Sequence, residues 1–307
     1  MTVIVLGSAN ADLTVDVPYR PRGGETLLGS DLSVSPGGKG ANQAAAASCA
    51  GATTRFLGCV GDDGHGVFLR EQLAATGVET TALRISSDRA TGTAMILLTP
   101  DGENSIVVSP GANHQIVPAM VEGWADILEP AGVLVLSLEI PLDSVTAAIE
   151  KASGGARILL NAAPAQELDR VILSHCDPLI VNEHEARMIL GADDNEGFEK
   201  CARALREAGA RSVVITLGAQ GAVVCDEGGT EHIPAHTVPV VDTTGAGDAF
   251  VGACAAELSR DVALRDAVRF ATAMSALSVQ SRGAQTSYPC RAAVEELLAR
   301  TAEEQAQ

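Results

Sequence analysis

Five short apolar runs recur along the chain, and most are followed by a stretch with helical spacing. They are VIVLG (Val3–Gly7), GVLVLSLE (Gly132–Glu139), RILLNAA (Arg157–Ala163), PLIVNEHE (Pro178–Glu185) and RSVVITLG (Arg211–Gly218). Runs of this length that stay apolar at every position suit strands buried on both faces, which is the environment of a parallel sheet. Helical patterns over Leu142–Ala152, Glu185–Leu190 and Phe198–Ala208 lie between them, and two Ala-rich patterns, Gly247–Leu258 and Leu264–Val279, follow. Strand–helix alternation demands right-handed crossovers and helices on both sides of the sheet. The expectation is therefore a single α/β domain over residues 1–307, Rossmann-like, with a central mostly parallel sheet flanked by helices. The terminal EEQAQ is expected to fray.

Two segments depart from this alternation. Residues 13–34 mix alternating polarity with turn residues, and residues 91–109 place two strand-like runs around Asp101-Gly102, a hairpin signal. Together they predict a small β-sheet projecting from the domain, able to cover a site or to pair with another subunit through exposed edges.

Composition narrows the partners. Thirty-nine acidic residues against 21 Lys and Arg give a net charge of -18, which repels polyanions and argues against nucleic acid. The seven cysteines have no C-x-x-C spacing and read as free thiols of a reducing cytosol. No apolar run approaches the ~20 residues of a membrane span and no leader pattern opens the chain, so a soluble cytoplasmic protein is expected.

The strongest chemical signal is VVDTTGAGDAFVGA (Val240–Ala253). The extended HTVPVVD runs into Gly245, Ala246 and Gly247 just where a helix starts, so unpaired N–H groups and the positive end of the helix dipole form an anion site. A dinucleotide site would want a third glycine where Phe250 stands, and Asp248 would face a permanent pyrophosphate. A carboxylate beside an anion hole is instead useful for taking a proton from a hydroxyl that attacks phosphorus. The plainer reading of Asp248 is an acidic residue favoured in the first turn of a helix.

GSANAD (Gly7–Asp12) places Asn10 and Asp12 two apart, on one face of an extended chain, where an amide and a carboxylate suit a polyol. A loop satisfying its own backbone explains the same pair. SPGGKGANQ (Ser35–Gln43) looks at first like a phosphate loop, but Lys39 is followed by Gly40, Ala41 and Asn42, so the Ser or Thr that would ligate magnesium is missing. Its backbone donors and Asn42, at the start of a helix over Ala41–Ala50, fit a neutral polyhydroxyl substrate, with Lys39 as a solvated loop charge. VNEHE puts Asn182 and Glu185 on one side of a helical turn, able to hold the water shell of Mg²⁺, with His184 at the surface. TLGAQG (Thr216–Gly221) is a glycine turn that borders a nucleotide or is only a turn.

These motifs occur in the order GSANAD, GGKGANQ, the Glu139 strand end, VNEHE, TLGAQG, DTTGAGD and RGAQTS (Arg282–Ser287), and in that order the chain resembles the ribokinase-like sugar kinase family over nearly its whole length. The N-terminal NAD, GGKGANQ and GAQ-x-S resemble its ribokinase branch. The resemblance implies that Asn10, Ala11, Asp12, Gly38, Lys39, Gly40, Ala41, Asn42 and Glu139 line a ribose site, with Asp248 as the base contacting the sugar. It implies an anion hole from Gly245, Ala246 and Gly247, and ATP along Asn182, Thr216, Leu217, Gly218, Ala219, Gln220, Gly221, Gly247 and Thr272, where the family often carries Asn or His in place of Thr272. It further implies an activating K⁺ at Asp242, Thr244, Ser278, Ser281, Gly283 and Ser287, Mg²⁺ near Glu185, a β-sheet lid and a homodimer formed through it. The expected reaction is phosphorylation of D-ribose at O5 by ATP. Kinases of the same fold for deoxyribose, fructose or a nucleoside, a non-catalytic sugar or nucleotide sensor, and a nicotinamide oxidoreductase stay open beside it.

Overall fold

A computed structural model describes residues 1–101, 104–191 and 196–305. Its strands are β1 (Val3–Leu6), β2 (Asn10–Asp16), β3 (Ser33–Gly37), β4 (Thr54–Leu57), β5 (Cys59–Gly61), β6 (Arg84–Ser86), β7 (Gly92–Leu98) and β8 (Asn104–Ser109). They continue as β9 (Val133–Ser137), β10 (Arg157–Asn161), β11 (Cys176–Asn182), β12 (Val213–Thr216), β13 (Ala222–Asp226) and β14 (Gly229–Ile233). The large sheet runs β14-β13-β12-β11-β10-β9-β1-β4, parallel except for the β12–β13–β14 meander at one edge.

Alternation along the buried strands divides the interior in two. Val3, Val5, Val133, Val135, Leu159, Ile180 and Val214 face one layer of helices, among them Lys39–Cys49, Ala246–Leu258 and Leu264–Ser278. Ile4, Leu6, Leu134, Leu136, Leu160, Val181 and Ile215 face the other, which includes Leu142–Ala152, Glu183–Leu190 and Phe198–Glu207. The Ala246–Leu258 helix is buried from Asp248 onward, so its Ala-rich sequence has no solvent face to mark. Small side chains let it approach its neighbour closely: a Cβ on Gly252 would lie 2.5 Å from that of Ala46.

The small sheet has the order β3-β2-β7-β8, with β2 and β7 parallel and the outer pairs antiparallel. Strand β2 begins at Asn10, so both GSANAD polar residues belong to it, and residues 17–32 contain no strand. Gly102 of the expected hairpin turn lies outside the described residues. The extended HTVPVVD pairs with no strand; Val241 and Asp242 are held by N–H donation to the Val279 carbonyl. One other expectation is corrected. The terminal EEQAQ is not wholly frayed, because the last helix spans Arg291–Gln305, while Ala306 and Gln307 lie outside the described residues.

Candidate active site

The motif residues gather at the carboxyl ends of β1, β9, β10, β11 and β12, beside the starts of the Lys39–Cys49 and Ala246–Leu258 helices. The crevice beyond the strand ends is where open parallel sheets bind ligands. The second of these helices starts from Gly245, whose φ of 74° is left-handed and whose missing Cβ would lie 2.8 Å from the Tyr288 hydroxyl. No side chain caps this end. The Ala246 amide already donates to the Thr243 carbonyl at 3.2 Å, so the turn itself uses one of the three amides expected of the anion hole. Helix geometry leaves the following N–H groups, those of Gly247 and Asp248, without intrahelical partners. Gly247 is exposed, and nothing within 4 Å occupies the place of its absent side chain.

Asp248 sits one turn into this helix and is buried. Its Oδ2 accepts from Asn42 Nδ2 and its Oδ1 from Gln43 Nε2, both at 3.0 Å. Burial raises its pKa; the charge of Lys39 and the two amide donors pull the other way, and Glu139 adds to the rise.

The GSANAD strand lies alongside. Asn10 Oδ1 accepts from Asn113 Nδ2 at 2.8 Å, which leaves the Asn10 nitrogen as the group it can offer a ligand. Asn113 also accepts from the Ala9 N–H at 2.9 Å and donates to the Ala9 carbonyl at 3.2 Å. Ala11 is fully buried and can contribute only backbone. Asp12 stands against Gly37, and burial together with the charges of Glu139 and Asp248 pushes it up to about 7. Glu139 Oε2 accepts from the Ser8 hydroxyl at 2.5 Å and from the Lys39 N–H at 3.0 Å, tying the first strand to the helix start. Of the two readings of Lys39, the structure does not support a solvated loop charge. It is the first residue of its helix and only partly exposed; burial would lower its pKa, but the carboxylates of Asp248, Glu139 and Glu185 outweigh this and raise it. Gly38, with φ 86°, turns the chain into that helix and lies within 2.7 Å of the Asn10 nitrogen by its missing Cβ, so any side chain there collides with backbone. The Gly40 amide faces the Ser8 hydroxyl at 3.4 Å, and that of Ala41 is bonded to the Ser8 carbonyl at 2.9 Å.

At the ends of β11 and β12 a groove of about 690 Å³ is lined by Asn182, Glu183, His184, Arg187, Met188, Thr216 and Gly218. Asn182 and Glu185 form a reciprocal capping box, Oδ1 accepting from the Glu185 N–H and Oε2 from the Asn182 N–H, each at 2.8 Å. Their spacing is thus first explained by the helix start, and one Glu185 oxygen is already engaged. Burial raises Glu185, partly offset by the Asn182 N–H and by Lys39. In the glycine turn, Leu217 is buried, Gly218, Ala219 and Gln220 are exposed, and Gly221 donates its N–H to Gly218. Thr272 is buried and its hydroxyl donates to the Val268 carbonyl at 2.8 Å, so it has no hydrogen left to give adenine and keeps only acceptor capacity. A larger cavity, about 940 Å³, opens at the opposite, amino ends of the strands beside Arg157, Asp177, Asp226 and Arg265, but there Arg157 pairs with Asp177 and Arg265 with Asp226.

Asp242 joins two loops: Oδ1 accepts from the Thr244 N–H and hydroxyl, and Oδ2 from the Gly283 N–H at 2.8 Å. Burial would raise Asp242, yet the Gly283 and Thr244 donors outweigh it and hold it low. The Ser278 carbonyl takes the Ser281 N–H at 3.4 Å, and the Ser287 hydroxyl bonds the Ala284 carbonyl at 2.8 Å. Among the described residues no group of three His, Cys, Asp or Glu side chains could hold a metal ion.

The chain matches the pfkB family of carbohydrate kinases over residues 2–291. The chain belongs to that family. Within the pfkB kinases it is 38% identical over 300 residues to the ribokinase of Haemophilus influenzae, covering 97% of this chain and 98% of the relative. It is 34% identical to the deoxyribokinase of Salmonella typhi over 94% of this chain and 96% of that one. The structure of Arabidopsis thaliana ribokinase complexed with ribose and ATP superposes with a TM-score of 0.91 at 31% identity, covering 97% of this chain and 98% of that one. As a pfkB kinase the protein is a phosphotransferase acting on a sugar, and the sensor and oxidoreductase readings fall away.

Several residues of this kinase site had no separate signal in the sequence. Asn113 lies in the Gly111–Gln115 turn, over 100 residues from the Ala9-Asn10 backbone and side chain it holds. Asn161 ends β10 and Tyr288 sits beyond the last loop. Gln43 and Gln285 stood inside quoted motifs, but their partners could not be read from spacing.

Proposed function

We propose that this kinase transfers the γ-phosphoryl group of ATP to O5 of D-ribose, giving D-ribose 5-phosphate and ADP. The observation that carries the reading is the carboxylate of Asp248, buried at a helix start, bonded by Asn42 and within electrostatic reach of Asp12, Glu139, Lys39 and Glu185. In this reading Asp248 takes the proton as the hydroxyl attacks, and N–H groups at the helix start meet the charge spread over the transferring phosphoryl oxygens. The open space at Gly247 suits such an approach. Asn10 offers an N–H to the sugar, while Asp12 accepts from its hydroxyls.

Mg²⁺ would supply positive charge to offset that of the phosphates. Only one oxygen of Glu185 is committed to its capping box, so a water-mediated contact fits, and a metal held wholly by protein does not. A monovalent cation such as K⁺ would lie by Asp242, Thr244, Ser278, Ser281, Gly283 and Ser287, where Asp242 already draws both loops together and carbonyls are close by. The small sheet serves as a lid that excludes competing water. Val34, Leu13, Met95 and Val107 align across its four strands on the face opposite Asp12, and Val34, Met95 and Val107 are exposed, which suits a second copy of the chain. Use of ATP and the unpaired cysteines point to the cytoplasm.

A second reading, deoxyribose as acceptor, is favoured by the similarity to the deoxyribokinase. Coupled ADP release with ribose, deoxyribose and fructose, each with and without K⁺, tests both. Ribose is expected to give the highest kcat/KM, with K⁺ raising it. A higher value with deoxyribose would transfer the assignment, and no sugar-dependent ADP would end it.

A further inference from the structure

The amides around Asp248 have orientations that can be followed to an unambiguous end. Asn161 Nδ2 donates to the backbone carbonyl of Ile180 at 3.2 Å. A carbonyl can only accept, so the Asn161 oxygen must point the other way, where it meets Gln43 Nε2 at 3.0 Å. The same nitrogen gives its second hydrogen to Asp248 Oδ1 at 3.0 Å. Turning the Gln43 amide over would set its oxygen against two other oxygens. On the opposite side, Gln285 Nε2 donates to Asn42 Oδ1, and Asn42 Nδ2 to Asp248 Oδ2, each at 3.0 Å.

Two buried acceptors are left over: among the described residues Gln43 Oε1 and Gln285 Oε1 have no hydrogen-bond partner. An orphaned buried acceptor costs stability, so each calls for an explanation. Here both glutamines leave an oxygen unmatched while presenting their nitrogens toward Asp248 or toward Asn42 that bonds it. The arrangement puts donor direction ahead of full satisfaction.

We propose that Gln43 and Asn161 are positioning residues that hold the Asp248 carboxylate as a proton acceptor, with the Ile180 carbonyl setting the direction of donation. Neither residue belongs to the sugar or nucleotide positions of the proposed function; their side-chain bonds run to one another, to Asp248 and to Ile180. An N–H donated to each oxygen favours the ionised form over the neutral one. The same two bonds fix the carboxylate plane, leaving its outward lone pairs for the substrate hydroxyl. This rests on the reading of Asp248 as the base. The other charged or titratable groups acting on Asp248 or on its near neighbours are Lys39, Glu139, Asp12, Glu185 and Tyr288. None of them is altered in the test.

The test is the pH profile of kcat for the full-length enzyme at saturating ribose and ATP, which reports the ternary complex rather than the free Asp12. Gln43→Met removes the donor at similar size. Asn161→Leu leaves Gln43 in place but unoriented. For Gln43→Met the acidic limb is expected to move up by about one pH unit, giving a roughly tenfold loss on that limb that recovers at alkaline pH. Asn161→Leu is expected to move it the same way by less, and the KM for ATP should hold in both. A rate loss of equal size at every pH, with the limb unmoved, would make the contacts merely structural and overturn the proposal. A shift in Gln43→Met with none in Asn161→Leu would overturn the part assigned to Ile180. Asp248→Asn separates this from the underlying reading: full turnover in that variant removes the base itself, whatever Gln43→Met does.

Discussion

Asp248 and Asp12 lie in one polar pocket but their surroundings treat them differently. Asp248 has an amide donor on each oxygen, whereas the causes acting on Asp12 are burial and the charges of Glu139 and Asp248, all of which raise it to about 7. Asp248→Asn is expected to lower kcat at least ~10²-fold, the usual scale of a general base, with ATP affinity retained in equilibrium titration. Asp12 makes a separate prediction. Its folded pKa lies above its ordinary value, so the stability it contributes is present at low pH and is lost as pH rises through about 7. Asp12→Asn should therefore raise the Tm of the sugar-free protein more at pH 8 than at pH 5, and kcat/KM for ribose in the wild type should climb across pH 6–8 as the acceptor ionises. Equal Tm shifts at both pH values would remove the charged Asp12 from this account. Residues such as these were legible because their chemistry is carried in a short contiguous motif. Asn113 and Asn161 were not, because an isolated asparagine has no spacing to read and its role exists only after distant strands meet.

Elements were legible where periodicity was strong and less so where tertiary contacts decide. The five quoted apolar runs and the Ala246–Leu258 helix appeared close to their observed bounds, since full burial leaves an uninterrupted apolar record, whereas β4 and β13 went unread. HTVPVVD has the composition of a strand but finds no neighbouring strand, only the Val279 carbonyl. Asn182 and Glu185 showed their spacing but not that the helix itself uses it. Gly252 gives the test at this scale. In a solvent-exposed helix, Gly→Ala stabilises by up to ~1 kcal/mol. Here an added Cβ would meet the Gln43 carbonyl and the Ala46 side chain at 2.5 Å. Gly252→Ala should instead destabilise, by about 1–3 kcal/mol in denaturant unfolding, and should lower kcat because the displaced helix carries Asn42 and Gln43. A gain in stability would show that the two helices have room to spare.

For the whole molecule, the fold class followed from strand–helix alternation, while the small sheet was legible only as hairpin signals. Its order β3-β2-β7-β8, with segments from both sides of the first crossover, is a nonlocal fact. The apolar row Val34, Leu13, Met95 and Val107 predicts association through that face. Val107→Lys combined with Met95→Lys should halve the mass measured by light scattering while leaving the circular dichroism of the large sheet unchanged. An unaltered mass in the double variant would send the interface elsewhere.

The partners of Asp248 come from the other end of the chain: Asn42 and Gln43 precede it by 206 and 205 positions. In the proposed mechanism, a ribosome therefore makes the residues that orient the base long before the base itself. An emerging polypeptide has no way to consume ATP until most of its core has been threaded into place, so a half-made enzyme is silent rather than wasteful.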